Sequence, residues 1–113
     1  MTQLDLHGTV DATELDPATF VVSAHGPTDS RLAGELRDVL IPIAAADGSS
    51  VVLDLDDAHC LDAELLAVVA TAAHLASRRG ERLKIVTRSE LTVDMIDECG
   101  LGDLVDVVPS LGS

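Results

Sequence analysis

Two cysteines, four histidines and 20 acidic residues are the groups from which this 113-residue chain could build chemistry. Cys60 and Cys99 form no CxxC pair and match no metal-ligand spacing. A nucleophilic thiolate needs a neighbouring cation to lower its pKa, and no basic residue adjoins Cys60. Both cysteines lie in apolar or helix-end contexts, which predicts reduced thiols packed as small hydrophobes. His25, His59, Asp62 and Glu64 are the set that would gather around a metal, since carboxylate and imidazole are both acceptable zinc ligands. No two of the histidines share a helix face at ligand spacing, so they read as exposed loop histidines and no metal is expected. His74, inside an apolar helical stretch, reads as a satisfied, partly buried side chain. The serines form no Gly-x-Ser-x-Gly elbow. Nothing in this inventory argues for turnover.

The elements that would position these residues follow from hydrophobic period. Gln3 to Val10 alternates Leu4 and Leu6 with polar residues, as an edge strand does, and the following DATELDPAT reads as a loop. Phe20 to Ala24 reads as a strand closed by Gly26 and Pro27. From Ser30 the spacing changes: Leu32, Leu36, Val39, Leu40 and Ile43 fall on one helical stripe, with Asp29 or Ser30 as cap and Pro42 expected to end or kink the helix. Val51 to Leu55 has little alternation, which suits a central strand covered on both faces. Ala63 to Arg79 is the most apolar helix, with Asp62 placed to cap its start and Gly80 behind its end. Arg82 to Thr87 reads as a strand, and Ser89 caps a short helix through Leu91, Met95, Ile96 and Cys99. Gly100 with Leu101 behind it predicts a left-handed stop, and Leu104 to Val108 closes the set as a strand.

Strands alternating with helices of this length imply parallel pairing through right-handed crossovers. The expected architecture is therefore α/β, with a small mixed sheet of about five strands, mostly parallel with an antiparallel edge strand, and three main helices. A single domain over residues 1–113 is expected, because no linker, repeat or low-complexity segment divides the chain. Hydrophobic residues make up 47% of the sequence, enough for an aliphatic core, while Phe20 is its one aromatic.

That composition narrows the partners. A net charge of -13 and the lack of stacking faces argue against nucleic acid and against an anionic membrane, and favour a basic protein surface. The N-terminal MTQLDLHGTV lacks the basic and apolar regions of a signal peptide, and Leu65 to Ala76 is too short to span a bilayer. A cytoplasmic protein without a cofactor is expected.

Three stretches, in order, resemble the STAS family of anti-sigma-factor antagonists. Gly26 to Arg37 is similar to the family's Gly-x-x-Asp turn and following helix, with Asp29 and Leu36 in the matching places. Val51 to Val69 resembles the apolar strand, Asp-Leu, short loop and Asp-Ser-Ser-Gly-Leu helix start, and Cys99 to Val107 resembles the Gly-Leu stop leading to the last strand. Together they cover residues 20–108. The resemblance implies a STAS-like fold and a non-catalytic protein-binding role. Its implied partner is an anti-sigma factor or a histidine-kinase-like ATPase domain, with a homodimer or a second STAS chain as further partners. It also implies a recognition surface of Asp29, Asp62, Ala63, Glu64 and Leu65. Where the family has Asp-Ser-Ser-Gly this chain has Asp62, Ala63, Glu64 and Leu65, so the first serine, the family's phosphoacceptor, is replaced by Ala63. A phosphate adds roughly two negative charges and can expel a partner, and without it the surface stays in one state. Glu64 either caps the helix or mimics the phosphorylated form.

Two other readings use the same residues. A STAS subunit of an ABC-type membrane transport assembly would have the same fold and bind its ATPase from the cytoplasmic side. The VVLDLDD stretch also resembles the opening of haloacid-dehalogenase-type phosphatases, which implies Asp54 as nucleophile and Asp56 as acid. That chemistry needs a later lysine and a further acidic pair for magnesium, and the chain's single lysine is Lys84.

Overall fold

The structure is a computed structural model that describes residues 9–16, 18–26, 30–56, 58 and 62–109. Five strands and three helices alternate along it: β1 (Thr9–Asp16), β2 (Thr19–His25), α1 (Ser30–Ala45), β3 (Ser50–Asp54), α2 (Ala63–Arg78), β4 (Leu83–Val86), α3 (Glu90–Glu98) and β5 (Val105–Val108). The sheet order is β1-β2-β3-β4-β5, antiparallel between β1 and β2 and parallel elsewhere. This is the expected mixed sheet with an antiparallel edge.

The monotonic order has a consequence for packing. Each crossover advances in the same direction across the sheet, so the usual right-handedness puts all three helices on one face. The core agrees: Leu32, Leu36 and Leu40 of α1, Leu65 and Val69 of α2 and Ile96 of α3 join Val22, Leu53 and Ile85 in one cluster. On the opposite face Val21, Val52 and Val86 form a smaller cluster with Val108. All three valine and leucine positions of β3 from Val51 to Leu53 are buried, as a strand covered on both faces requires.

Several expectations need correction. The first strand does not end at Val10; Asp11 to Asp16, read as loop, continues it, with Val10 opposite Ala24 and Asp11 opposite Ser23. Residues 11–15 are all exposed, so they carry no burial period, and backbone pairing to β2 makes the strand despite its acidic composition. The part of that expected strand before Thr9 lies outside the described residues. Pro42 does not end α1, which continues to Ala45. Ala44 is fully buried and Ile43 packs on the core, so contact with the core holds the last turn although the exposed Pro42 cannot donate to the preceding turn. Cys99 is exposed at the α3 C-cap rather than packed. His74 is exposed too, on the outward stripe of Ala67, Thr71, His74 and Arg78 that α2 turns from the core.

Candidate functional site at the start of helix α2

The carboxyl ends of β2, β3 and β4 converge where α2 begins. After Asp54 the chain is held by three successive contacts. Asp56 donates its backbone N–H to Asp54 Oδ1 at 3.0 Å, the turn that aspartate favours, and Leu55 donates to the Val86 carbonyl at 2.9 Å. The third contact is the Asp56 carboxylate itself, which Arg88 grips from the end of β4. Arg88 Nη2 lies 2.7 Å from Oδ2, Nε lies 3.0 Å from the same oxygen, and the Arg88 backbone N–H donates to Oδ1 at 3.0 Å. The Arg88 side chain, then its backbone N–H, hold the Asp56 carboxyl below the ordinary carboxylate value, against a smaller opposing effect of burial. Further along the same loop, Ala58 forms a parallel bridge with Gly26, which joins it to the segment leaving β2.

Helix α2 starts at Ala63. Asp62 is extended at φ -99° and ψ 177°, and its Oδ1 accepts from the Leu65 backbone N–H at 2.8 Å. An N-cap of this kind contributes about 1 kcal/mol, and a carboxylate also complements the positive end of the helix dipole. The cap leaves Ala63 and Glu64 exposed on the first turn and directs Leu65 inward, where it is fully buried. Leu65 is thus an anchor beneath the surface rather than a part of it, a correction to the expected set. Asp29, His59 and Cys60 lie outside the described residues. Beside Glu64 a cleft of about 500 Å³ opens between α1 and α2.

The alternative chemistries find little here. Asp54 and Asp56 are engaged in the turn and the Arg88 pair, and Lys84 is registered with Val52 two residues before Asp54. His25 Nε2 lies 3.4 Å from Asp11 Oδ2 on β1, away from α2 in the sheet order. Among the described residues no three His, Cys, Asp or Glu side chains are grouped to hold a metal. The contact that sequence reasoning missed is Arg88 with Asp56, 32 residues apart. The one available signal was topological: adjacent parallel strands bring their carboxyl ends together.

Residues 9–108, nearly the whole chain, match the family described as "Mlab, STAS domain". The chain belongs to the STAS family. The anti-sigma-F factor antagonist RsfA of Mycobacterium tuberculosis is 27% identical over 98 residues, covering 85% of this chain and 77% of RsfA. Among solved structures, an anti-sigma factor antagonist from Mycobacterium paratuberculosis superposes with a TM-score of 0.76 at 23% identity, over 94% of this STAS chain and 89% of its own. The phosphorylated form of the Bacillus cell fate determinant SpoIIAA superposes with a TM-score of 0.73 at 12% identity, over 90% and 93% respectively. At these identities the superpositions speak for the STAS fold, which the sheet order and helix placement already express.

Proposed function

We propose that this STAS domain is a non-catalytic binding module of the anti-sigma-factor-antagonist kind, working in the cytoplasm, whose partner is an anti-sigma factor with a histidine-kinase-like ATPase domain. The observation that carries the reading is the exposed first turn of α2, with Ala63 and Glu64 presented over a capped and core-anchored helix start. Similarity to RsfA, an anti-sigma-F factor antagonist, supports the partner class. Asp62, Ala63 and Glu64 form the centre of the recognition surface, Asp29 is its further member, and Leu65 holds the turn in place from below.

Ala63 has no hydroxyl, so a partner kinase has nothing to modify at this position and docking is not switched off there by phosphate. Glu64 adds one negative charge beside the helix start, where the dipole stabilises it. Among the described residues no helix is long and apolar enough to cross a membrane, which fits a module that meets its partner in solution. Self-association is a separate reading, carried by the cleft between α1 and α2.

The test is a pulldown with the cognate anti-sigma kinase, coupled to incubation with radiolabelled ATP. Binding without label on the wild-type chain, and label gained by Ala63→Ser, is the expected pattern. Label on the wild-type chain overturns the constitutive part of the reading, and absence of binding by both forms overturns the partner class.

A further inference from the structure

The acidic residues are not spread evenly over the fold. Residues 30–45 and 62–79, helix α1 and helix α2 with the two caps of α2, hold Arg31, Arg37, Arg78 and Arg79 against Glu35, Asp38, Asp62 and Glu64. This α1–α2 part of the helical layer is formally neutral, whereas α3 on the same face of the sheet carries Glu90, Asp94, Asp97 and Glu98. The remainder holds Arg82, Lys84 and Arg88 against the other 16 of the 20 acidic residues, so the whole net charge of -13 belongs to it.

The cleft of about 500 Å³ runs within the neutral layer. Its walls are mostly apolar, with Ala33 and Ile41 from α1 and Ala67 and Val68 from α2, and among the described residues its charged groups are Arg37 and Glu64. Gly34 lies in its floor. Glycine is the least favoured residue of a helix interior apart from proline, yet among the described residues a Cβ on Gly34 would meet nothing nearer than Arg37 Nη2 at 3.9 Å. Packing among the described residues gives no reason for the missing side chain, whereas an object lying against the cleft from outside does.

We propose that this face is where two copies of the chain associate about a two-fold axis, with Arg37 of each copy set against Glu64 of the second copy. A two-fold interface brings one surface against itself, so the surface must be complementary to itself in shape and charge. Two chains of net charge -13 repel one another across their acidic parts, and the neutral layer with one cation and one anion beside an apolar trough escapes that repulsion. Arg37 is also available: its side chain is 64% exposed and its contact with Asp38 is long, at 4.0 Å, whereas Arg31, Arg82 and Arg88 hold carboxylates at 2.7 to 2.9 Å. Glu64 already takes part in another interaction of its own chain, and a carboxylate has acceptor sites for a further donor. The cleft extends over about two helical turns, roughly 12 Å, so the interface is small and the dimer weak. Glu64 belongs to the proposed partner surface as well, which makes dimer and partner complex mutually exclusive. The dimer itself stands or falls without any partner present.

Native mass spectrometry and sedimentation equilibrium of the full chain at physiological ionic strength test it. The mass is expected to move from 11.8 kDa toward twice that value as concentration rises through the micromolar range. Arg37→Glu and Glu64→Arg each set like charges opposite one another and weaken self-association by roughly tenfold or more. Mixed together, the two variants form a heterodimer in which both ion pairs are restored. Gly34→Leu fills the cleft and abolishes association while circular dichroism reports an intact fold. If that variant unfolds, the charge exchange decides alone. A wild-type chain that stays monomeric at the highest concentration overturns the proposal. So does a dimer indifferent to either charge reversal, or a variant mixture that fails to pair.

Discussion

Helices α2 and α3 begin and end alike. Asp62 and Ser89 cap their starts from extended backbone, accepting from Leu65 N–H at 2.8 Å and from Thr92 N–H at 3.2 Å. Gly80 and Gly100, both at φ 76°, end them in the same left-handed conformation, and in each the next residue donates back to the helix, Glu81 to the Ala76 carbonyl and Leu101 to that of Ile96. What differs is burial. Six residues of α2 are buried, spread from Leu65 to Ala76, whereas α3 buries Thr92 and Ile96 and leaves Leu91 exposed. Capping therefore decides where a helix starts and stops, and the buried stripe decides how firmly it is held. Helix α2 is fixed along its length to the core, so its exposed first turn is a rigid platform; α3 presents Glu90, Asp94, Asp97 and Glu98 to solvent from a two-point attachment.

The largest expected effect tests the stripe. Leu65→Ala removes a fully buried side chain directly beneath the platform and is expected to cost about 2–5 kcal/mol in equilibrium urea unfolding. A loss below 1 kcal/mol would mean that the first turn of α2 is not anchored as described. The caps come next. Asp62→Ala is expected to cost about 1–2 kcal/mol and Ser89→Ala about 0.5–1 kcal/mol, because Asp62 brings a shorter bond and a charge at the dipole's positive end. Equal losses would remove the electrostatic part of the difference. Amide hydrogen exchange adds a second reading: loss of the Asp62 cap should raise exchange at Leu65 and Leu66, while the buried stripe from Val68 onward keeps its protection.

Local grammar was legible in the sequence wherever a single residue type has a strong local role. The caps Asp62 and Ser89, the stops at Gly80 and Gly100, the apolar stripe of α2 and the unalternating β3 were each read from a few neighbouring residues, and the resemblance to the STAS family rests on those same stretches. What escaped depends on partners distant in the chain. Residues 11–16 of β1 are a strand because β2 lies alongside, Pro42 stays helical because Ala44 is held in the core, and Asp56 is fixed by an arginine 32 residues away. Leu65 shows the limit within the site itself. Its position in the motif was legible, but only the helix phase fixed by the cap shows that it points inward.

Smallest in size, but most specific to the loop ahead of α2, is the acid response of Asp56. Its carboxyl titrates below the ordinary value because Arg88 binds the ionised form, so the native chain holds that proton more weakly than the unfolded chain does. The stabilisation from this pair is therefore complete above the usual aspartate range, near pH 4, and fades as pH falls through the lower native value. Asp56→Asn removes the charge while keeping the shape. The urea midpoints of wild type and variant should differ at neutral pH, with wild type the more stable, and should converge as both are taken below that range. A constant gap across the titration would assign the contact's effect to packing of the Arg88 side chain. A gap that closes would establish that charge ties the segment ahead of α2 to Arg88, the residue that precedes the α3 cap.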